Sequence, residues 1–267
     1  MAGHTETDFE HAIEYGLITN DRYRKGDPKA FDPATALFPD EVIAFIRDSQ
    51  PTRWDQLEAM LRDRTAATVI DSLVKELASK GSLGVLRHGF KCYGKTLRLA
   101  YFRPNSGLNP ESAARYAANR LMITRQVRFK SEPLKCDCIL DVVLSVNGLP
   151  VVTAELKNPQ TGQRARDACT QYKKDRDGRD PIFRFKERTL VHFAVDPDEV
   201  WMTTHLKGEE THFLPFNRGH NHGAGNPPVE GNWKTRYLWG EALCADSLLD
   251  ILLQFRCSTS EEMSASL

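Results

Sequence analysis

The sequence predicts an α/β domain with a mixed central β-sheet, helices on its flanks and a helical N-terminal segment. Three observations point there. β-Branched runs at Ile139–Val146, Val151–Lys157 and Leu190–Val195 have the length and composition of strands. Stretches with helical apolar spacing lie before and after them. An Asn147-Gly148 dipeptide separates the first two runs and is a strong hairpin signal. Strands interleaved with helices bury one sheet between helical layers.

The elements follow in order. Pro39 stands at a first-turn position with Asp40 and Glu41, and Val42, Ile43, Phe45 and Ile46 form an apolar stripe behind it. A second pattern runs from Trp54 through Leu57, Met60, Leu61, Val69, Ile70, Leu73, Val74 and Leu77, with Gly81 as a stop. The first 80 residues therefore read as helices. From Leu83 to Arg103 the pattern is short, basic and strand-like, punctuated by Gly84, Gly89 and Gly94. Asn109, Pro110 and Glu111 open a helix. Past the hairpin come a helix from about Thr161 to Asp177, strands at Leu190–Val195 and Val200–Leu206, a Gly/Asn/Pro loop over residues 217–228, and a helix from Glu241 to Phe255. The expected division is 1–82 (helical segment packed on the core), 83–240 (core) and 241–267 (C-terminal helix and tail).

Composition narrows the function. The chain has 267 residues, 40% of them apolar, with 36 Lys+Arg against 36 Asp+Glu. Zero net charge argues against a protein that coats nucleic acid with its whole surface. The distribution is uneven, however. Residues 115–135 carry six Lys/Arg against one acid, Glu132, and residues 164–188 carry nine against five. Local contact with phosphates suits that pattern. No apolar run is long enough for a membrane span, and the polar, acidic start MAGHTETDFEH is not a secretory leader, so a cytoplasmic location is expected. The six cysteines include one CxC, Cys136 and Cys138, but no second pair at zinc spacing; reduced thiols are expected.

Chemistry concentrates in the hairpin. Glu155 and Lys157 stand in an otherwise apolar strand and, at i and i+2, point to one face. Burying such charges without partners is costly. Fourteen residues upstream, Asp141 interrupts the other strand in the same way. Two adjacent carboxylates with an ammonium on the same face suit a hard divalent cation such as Mg²⁺. The register decides whether they meet. A regular two-residue loop at Asn147-Gly148 puts Asp141 opposite Ala154, and the two acids then face opposite ways. A three-residue loop, Asn147-Gly148-Leu149, or a β-bulge between Asp141 and Val146 is therefore expected, to bring the two acids to one face.

Two other signals are set aside. Gly89-Phe-Lys-Cys-Tyr-Gly94-Lys95-Thr96 spells the Walker A pattern, but LRLAYFRP after it is strand-like where a phosphate-binding loop opens a helix. His220 and His222 lack further ligands nearby and read as loop residues.

Asp141 followed by Glu155-Leu156-Lys157 resembles the PD-(D/E)xK nuclease motif, and VNGLPVVTAELKN resembles the motif region of type I restriction enzyme R subunits. ALFPDEVIAFIRDSQ, FRPNSGLN, AANRLMITRQVRF, QYKKDRD, TLVHFAVDPDEVWMTTHLKG, THFLPFNRGHNHGAGNP and YLWGEAL look like the same family's N-terminal domain. The resemblance implies a restriction-endonuclease-like core and Mg²⁺-dependent cleavage of double-stranded DNA. It implies Asp141, Glu155 and Lys157 as catalytic residues, with Asp141 and Glu155 as metal ligands. It further implies methyltransferase and specificity subunits as partners, and ATP used only through a motor domain of the same subunit that is absent from this chain. Leu140 replaces the proline of the motif. Relatives carry Q-x-x-x-Y on the next helix; here Ala168 occupies the glutamine position before Tyr172, which leaves Gln171 and Tyr172 as candidates for orienting a catalytic group or touching DNA. Glu10 stands where related nucleases supply a carboxylate from their first helix. Arg125, Arg128, Arg164, Arg166, Lys173 and Lys174 are candidate DNA contacts. A free-standing nuclease, and a catalytically silent DNA-binding or scaffolding module of the same fold, are the alternatives.

Overall fold

Seven strands form one twisted sheet in a computed structural model that describes residues 6–104, 109–130, 138–158 and 162–254. They are β1 (Tyr23–Lys25), β4 (Leu121–Arg128), β5 (Ile139–Val146), β6 (Leu149–Leu156), β7 (Val191–Val195), β8 (Val200–Thr203) and β9 (Leu214–Pro215), adjacent in that order. β1 runs parallel to β4 and β6 parallel to β7; the other neighbours are antiparallel. The sheet is therefore mixed, as expected. The helices are α1 (Glu6–Asn20), α2 (Pro39–Ser49), α3 (Pro51–Leu61), α4 (Thr65–His88), α5 (Pro110–Ala117), α6 (Ala165–Asp175) and α7 (Ala245–Gln254). Among the described residues no helix is long and apolar enough to cross a membrane.

The central hairpin shows why this sequence folds as it does. Asn147 (φ 52°) and Gly148 (φ 85°) both take the left-handed conformation that a tight two-residue turn demands. The turn is buried, which is unusual for a loop. Asn147 donates to Leu99 O (2.8 Å) and Asn119 Oδ1 (2.9 Å) and accepts from Arg120 N (2.6 Å). Gly148 O accepts from Phe38 N at the start of α2 (2.9 Å). A Cβ on Gly148 would lie 2.6 Å from Val42 Cγ2 and 2.7 Å from Phe38 O. Gly148→Ala therefore meets both a forbidden φ and a backbone clash. We expect a loss of about 3 kcal/mol or more in a denaturant melt, since overpacking and φ strain add; a loss below about 1 kcal/mol, the φ cost alone, would show that α2 yields.

β6 is buried along its whole length. A strand covered on both faces reads as a nearly continuous apolar run, which is why its polar residues stand out. On one face Leu144, Val152, Ala154, Leu156, Phe193 and Val195 join the large core supplied by α1 to α4 and α7. α6 packs on the other face, where Ala168 and Cys169 meet Ala194, and Tyr172 joins Phe129, Val143, Ile182 and Phe183.

Several expectations need correction. The first 80 residues are not all helical: β1 joins the sheet edge, and at three residues it is too short to leave a periodic signal. Gly81 (φ 71°) breaks the helical geometry without ending the helix. Ser82 N bonds to Lys186 O (2.7 Å) across the break, and helix resumes to His88, where strand had been expected from Leu83. The last helix is divided into a π-turn over Leu238–Ala242 and α7. Cys92, Cys169 and Cys244 are free, but Cys138 is disulfide-bonded, against the expectation of reduced thiols. Glu132, Lys135, Cys136, Thr161, Phe255 and the tail from 257 onward lie outside the described residues.

Other readings hold. Asn109 caps α5, its side chain accepting from Ser112 N (3.2 Å). The Walker-like segment is a hairpin: β2 (Phe90–Cys92) and β3 (Lys95–Leu97) flank a Tyr93-Gly94 turn, and strand follows where a phosphate loop needs a helix.

Candidate active site

The register resolves the question posed by the hairpin. Next to the turn, Val146 pairs with Leu149 and Ser145 with Pro150; beyond it, Leu144 pairs with Val152 and Val142 with Ala154. The shift between Leu144 and Ser145 leaves Val151 as the extra residue of a β-bulge. A two-residue turn plus one bulged residue carries Asp141 across from Glu155, so the bulge, and not a longer loop, meets the expectation. Asp141 and Glu155 share a face, and Lys157 follows two residues on.

The two acids sit in different surroundings. Asp141 is half-buried, and its Oδ2 accepts from Leu156 N across the strand pair (2.7 Å). Glu155 is fully buried. Its Oε1 accepts from Arg176 Nε (2.7 Å), while its Oε2 is buried with no N–H or hydroxyl donor, and the Asp141 carboxyl lies within hydrogen-bonding reach of the Glu155 carboxyl. Burial pushes the Glu155 carboxyl well above the usual carboxylate range, and the neighbouring Asp141 pushes it further; Arg176 opposes both. Burial also raises the Asp141 carboxyl, against the Leu156 N–H and the Lys157 charge. Lys157 is half-buried, and its backbone N–H bonds to Val195 O (2.9 Å), so its strand position is fixed. The site opens to solvent at Asp141 and Lys157 and is closed at Glu155.

Arg176, at the end of α6, is a partner the sequence did not disclose. Its side chain is fully buried, donates Nη2 to Ile139 O (2.9 Å) and lies 5.2 Å from the Phe129 ring centroid. Tyr172 is also fully buried. Its hydroxyl lies 2.8 Å from Thr153 Oγ1, which is 2.7 Å from His192 Nδ1. Burial lowers the His192 pKa to about 3, so the ring is neutral. Tyr172 is packed away from solvent and braces β6 two residues before Glu155. Gln171 beside it is half-buried on α6.

Glu10 reaches β4. It accepts from Arg125 Nη2 (2.6 Å) and from Gln126 Nε2 (3.0 Å). Gln126 takes φ 55° between Arg125, paired with Val142, and Val127, paired with Leu140. It is therefore the residue beside Asp141 on the neighbouring strand, and Glu10 stands behind it. Arg125 is bound to Glu10 and Glu14 and only 17% exposed, so its charge is already paired within the chain. Arg128 and Lys174 are exposed and Lys173 is half-buried. Arg164 is 66% exposed, and Arg166 stacks 3.6 Å over the Trp201 ring. Asp196 anchors α6 by accepting from Ala165 N (2.8 Å).

Among the described residues no three His, Cys, Asp or Glu side chains are grouped to hold a metal ion. Two carboxylates are nonetheless a fitting donor set for Mg²⁺, which keeps several waters and takes one or two protein carboxylates beside substrate phosphate oxygens. The orphaned, buried Glu155 Oε2 is the observation that favours a cation here, because such an atom is costly to leave unmatched.

A mixed sheet covered by helices, with an acid pair and a lysine on one face of its central hairpin, defines a nuclease-like α/β core. Residues 105–211 match the family model described as the type I restriction enzyme R protein N terminus. No curated protein matches the chain.

Proposed function

We propose that this chain is the endonuclease module of a type I restriction R subunit, hydrolysing phosphodiester bonds of double-stranded DNA with Mg²⁺ held by Asp141 and Glu155. The observation that carries the reading is the bulged hairpin that sets the half-buried Asp141 and the buried Glu155 carboxylates side by side with Lys157 beyond them. When bound there, Mg²⁺ polarises the scissile phosphate and makes a coordinated water more acidic. Asp141 is the accessible ligand, and Leu156 N holds its orientation. Glu155 presents the oxygen that has no internal donor. Lys157 positions the attacking water and offsets the charge that grows on the phosphate. Tyr172, Thr153 and His192 keep β6 in register behind them. The wider assignment extends from the family match over residues 105–211: a cytoplasmic complex with methyltransferase and specificity subunits that cuts foreign, unmethylated DNA, with ATP consumed by a motor domain of the same subunit.

Plasmid cleavage with Mg²⁺, run with and without the partner subunits and ATP, tests the assignment. Cleavage only in the assembled, ATP-supplied reaction is expected, and efficient cutting by the chain alone would place it among free-standing nucleases.

Duplex binding supplies a second expected result. Arg164, Arg166, Lys173 and Lys174 project from α6 and its entry, so the chain should bind duplexes weakly and without sequence preference. Affinity should drop steeply as salt rises from 50 to 200 mM, because each phosphate contact releases a counterion. Replacing Lys173 and Lys174 by Ala should flatten that slope by about 1–2. Strong discrimination between sequences, or a salt-independent affinity, would contradict this role for α6.

A further inference from the structure

Arg176 does more than neutralise Glu155. Its guanidinium donates to Glu155 Oε1 at 2.7 Å, Ile139 O at 2.9 Å and Asp175 O at 3.5 Å. The face of Phe129 lies beside it. A rigid planar fork bonded in this way does not follow a carboxylate that rotates. Glu155 therefore has one oxygen committed to Arg176 and one, Oε2, buried without a donor. The half-buried Asp141 likewise commits Oδ2 to Leu156 N. Each acid offers a cation one oxygen.

This pattern bears on which cation fits. Mg²⁺ is small, wants octahedral geometry and is satisfied by single oxygens plus waters; Ca²⁺ takes six to eight oxygens and gains from carboxylates that bind through both. We propose that Arg176 is a specificity-determining residue that forces Glu155 to bind through Oε2 alone and so makes the site select Mg²⁺ over Ca²⁺. The proposal rests on the metal-site reading given above, and its test separates the two.

The test uses the whole chain with Mn²⁺ as the probe, followed by its electron paramagnetic resonance signal and displaced by Mg²⁺ or by Ca²⁺. Arg176→Met frees both Glu155 oxygens, and the ratio of Ca²⁺ to Mg²⁺ affinity should rise about tenfold or more over wild type. Arg176→Lys keeps the charge but loses the fixed fork, so it should recover only part of the wild-type preference. A ratio that stays within about threefold of wild type in folded Arg176→Met overturns the proposal. If that variant does not fold, infrared difference spectra of the wild-type chain with ¹³C-labelled glutamate decide instead. Mg²⁺ should produce the wide carboxylate band splitting of one-oxygen ligation, and the narrow splitting of two-oxygen ligation overturns the proposal. Glu155→Gln is the control for the underlying reading: if Mn²⁺ binds it as tightly as wild type, the metal site itself is misplaced.

Discussion

Asp141→Asn should abolish DNA cleavage by the assembled enzyme and, at the same time, raise the melting temperature of the chain. On the proposed metal site, the activity loss comes from removing the charge that Asp141 offers the cation, an interaction that matters most in the transition state, and should be on the order of 10²-fold or more. Glu155→Gln and Lys157→Ala should lose comparable activity. The stability gain has a separate origin. Asn keeps an oxygen for the Leu156 N–H and adds an amide that can donate to the orphaned Glu155 Oε2. It also removes one of two carboxylates that raise each other's cost of ionisation. One hydrogen bond gained at a buried orphan contributes about 1 kcal/mol, or about 2–4 °C for a chain of this size. The pH dependence follows from the raised Asp141 and Glu155 titrations. A carboxyl with a raised folded-state pKa contributes stability at low pH that is lost as pH rises through that value. The advantage of Asp141→Asn over wild type should thus shrink on acidification and grow toward neutral pH. Substantial cleavage by any two of the Asp141, Glu155 and Lys157 variants would sink the catalytic assignment. A lower melting temperature for Asp141→Asn would show that the acid pair is not strained in the metal-free chain.

Arg176→Met should be the most destabilising single change at the site. Arg176 and Glu155 are both fully buried and bonded to each other, and removing one partner leaves the other as an uncompensated charge, at a cost of about 3–5 kcal/mol. The same reasoning makes Glu155→Ala a poor probe of catalysis, because it strands Arg176; Glu155→Gln retains an acceptor for Arg176 Nε and is the cleaner test. The double variant Glu155→Met, Arg176→Met should recover most of the lost stability, since well-packed apolar residues replace a buried ion pair at little net cost. Equal destabilisation in the single and double variants, measured in urea, would mean that Arg176 matters for its bonds to Ile139 O and to α6 and not for its charge.

Much of this molecule is legible from local chemistry. Asn147-Gly148 announces the central turn, because few residue pairs accept two successive left-handed conformations. Asp141, Glu155 and Lys157 are conspicuous because β5 and β6 lie in the sheet interior, where a charge against an apolar background needs a reason. Counting residues across the turn even showed that a regular two-residue hairpin would separate the two acids. That count left the remedy open, since a bulge and a longer loop satisfy it equally; the extra residue lies on β6, at Val151, and not on β5. The choice depends on α2, which packs Phe38 and Val42 against Gly148 and holds the turn to two residues.

Other site residues left no local trace. Arg176 stands in KKDRDGRD, where every neighbour is charged or glycine and nothing in the spacing separates a solvated arginine from a buried one. Gln126 and Glu10 meet only because β4 lies beside β5 and α1 crosses over β4. β1 is too short to carry a period, and Gly81 interrupts a helix that the bond from Ser82 N to Lys186 O lets continue. The sequence by itself determined the class of fold, the hairpin and the identity of the acid pair and lysine, because apolar periodicity, turn propensity and the cost of burying charge act within a few residues. The fold alone settled which oxygen of Glu155 lacks a donor, which arginine holds the other, and which basic residues stay exposed, because those outcomes depend on groups up to 115 residues apart brought within hydrogen-bonding distance by the packing of helices on the sheet.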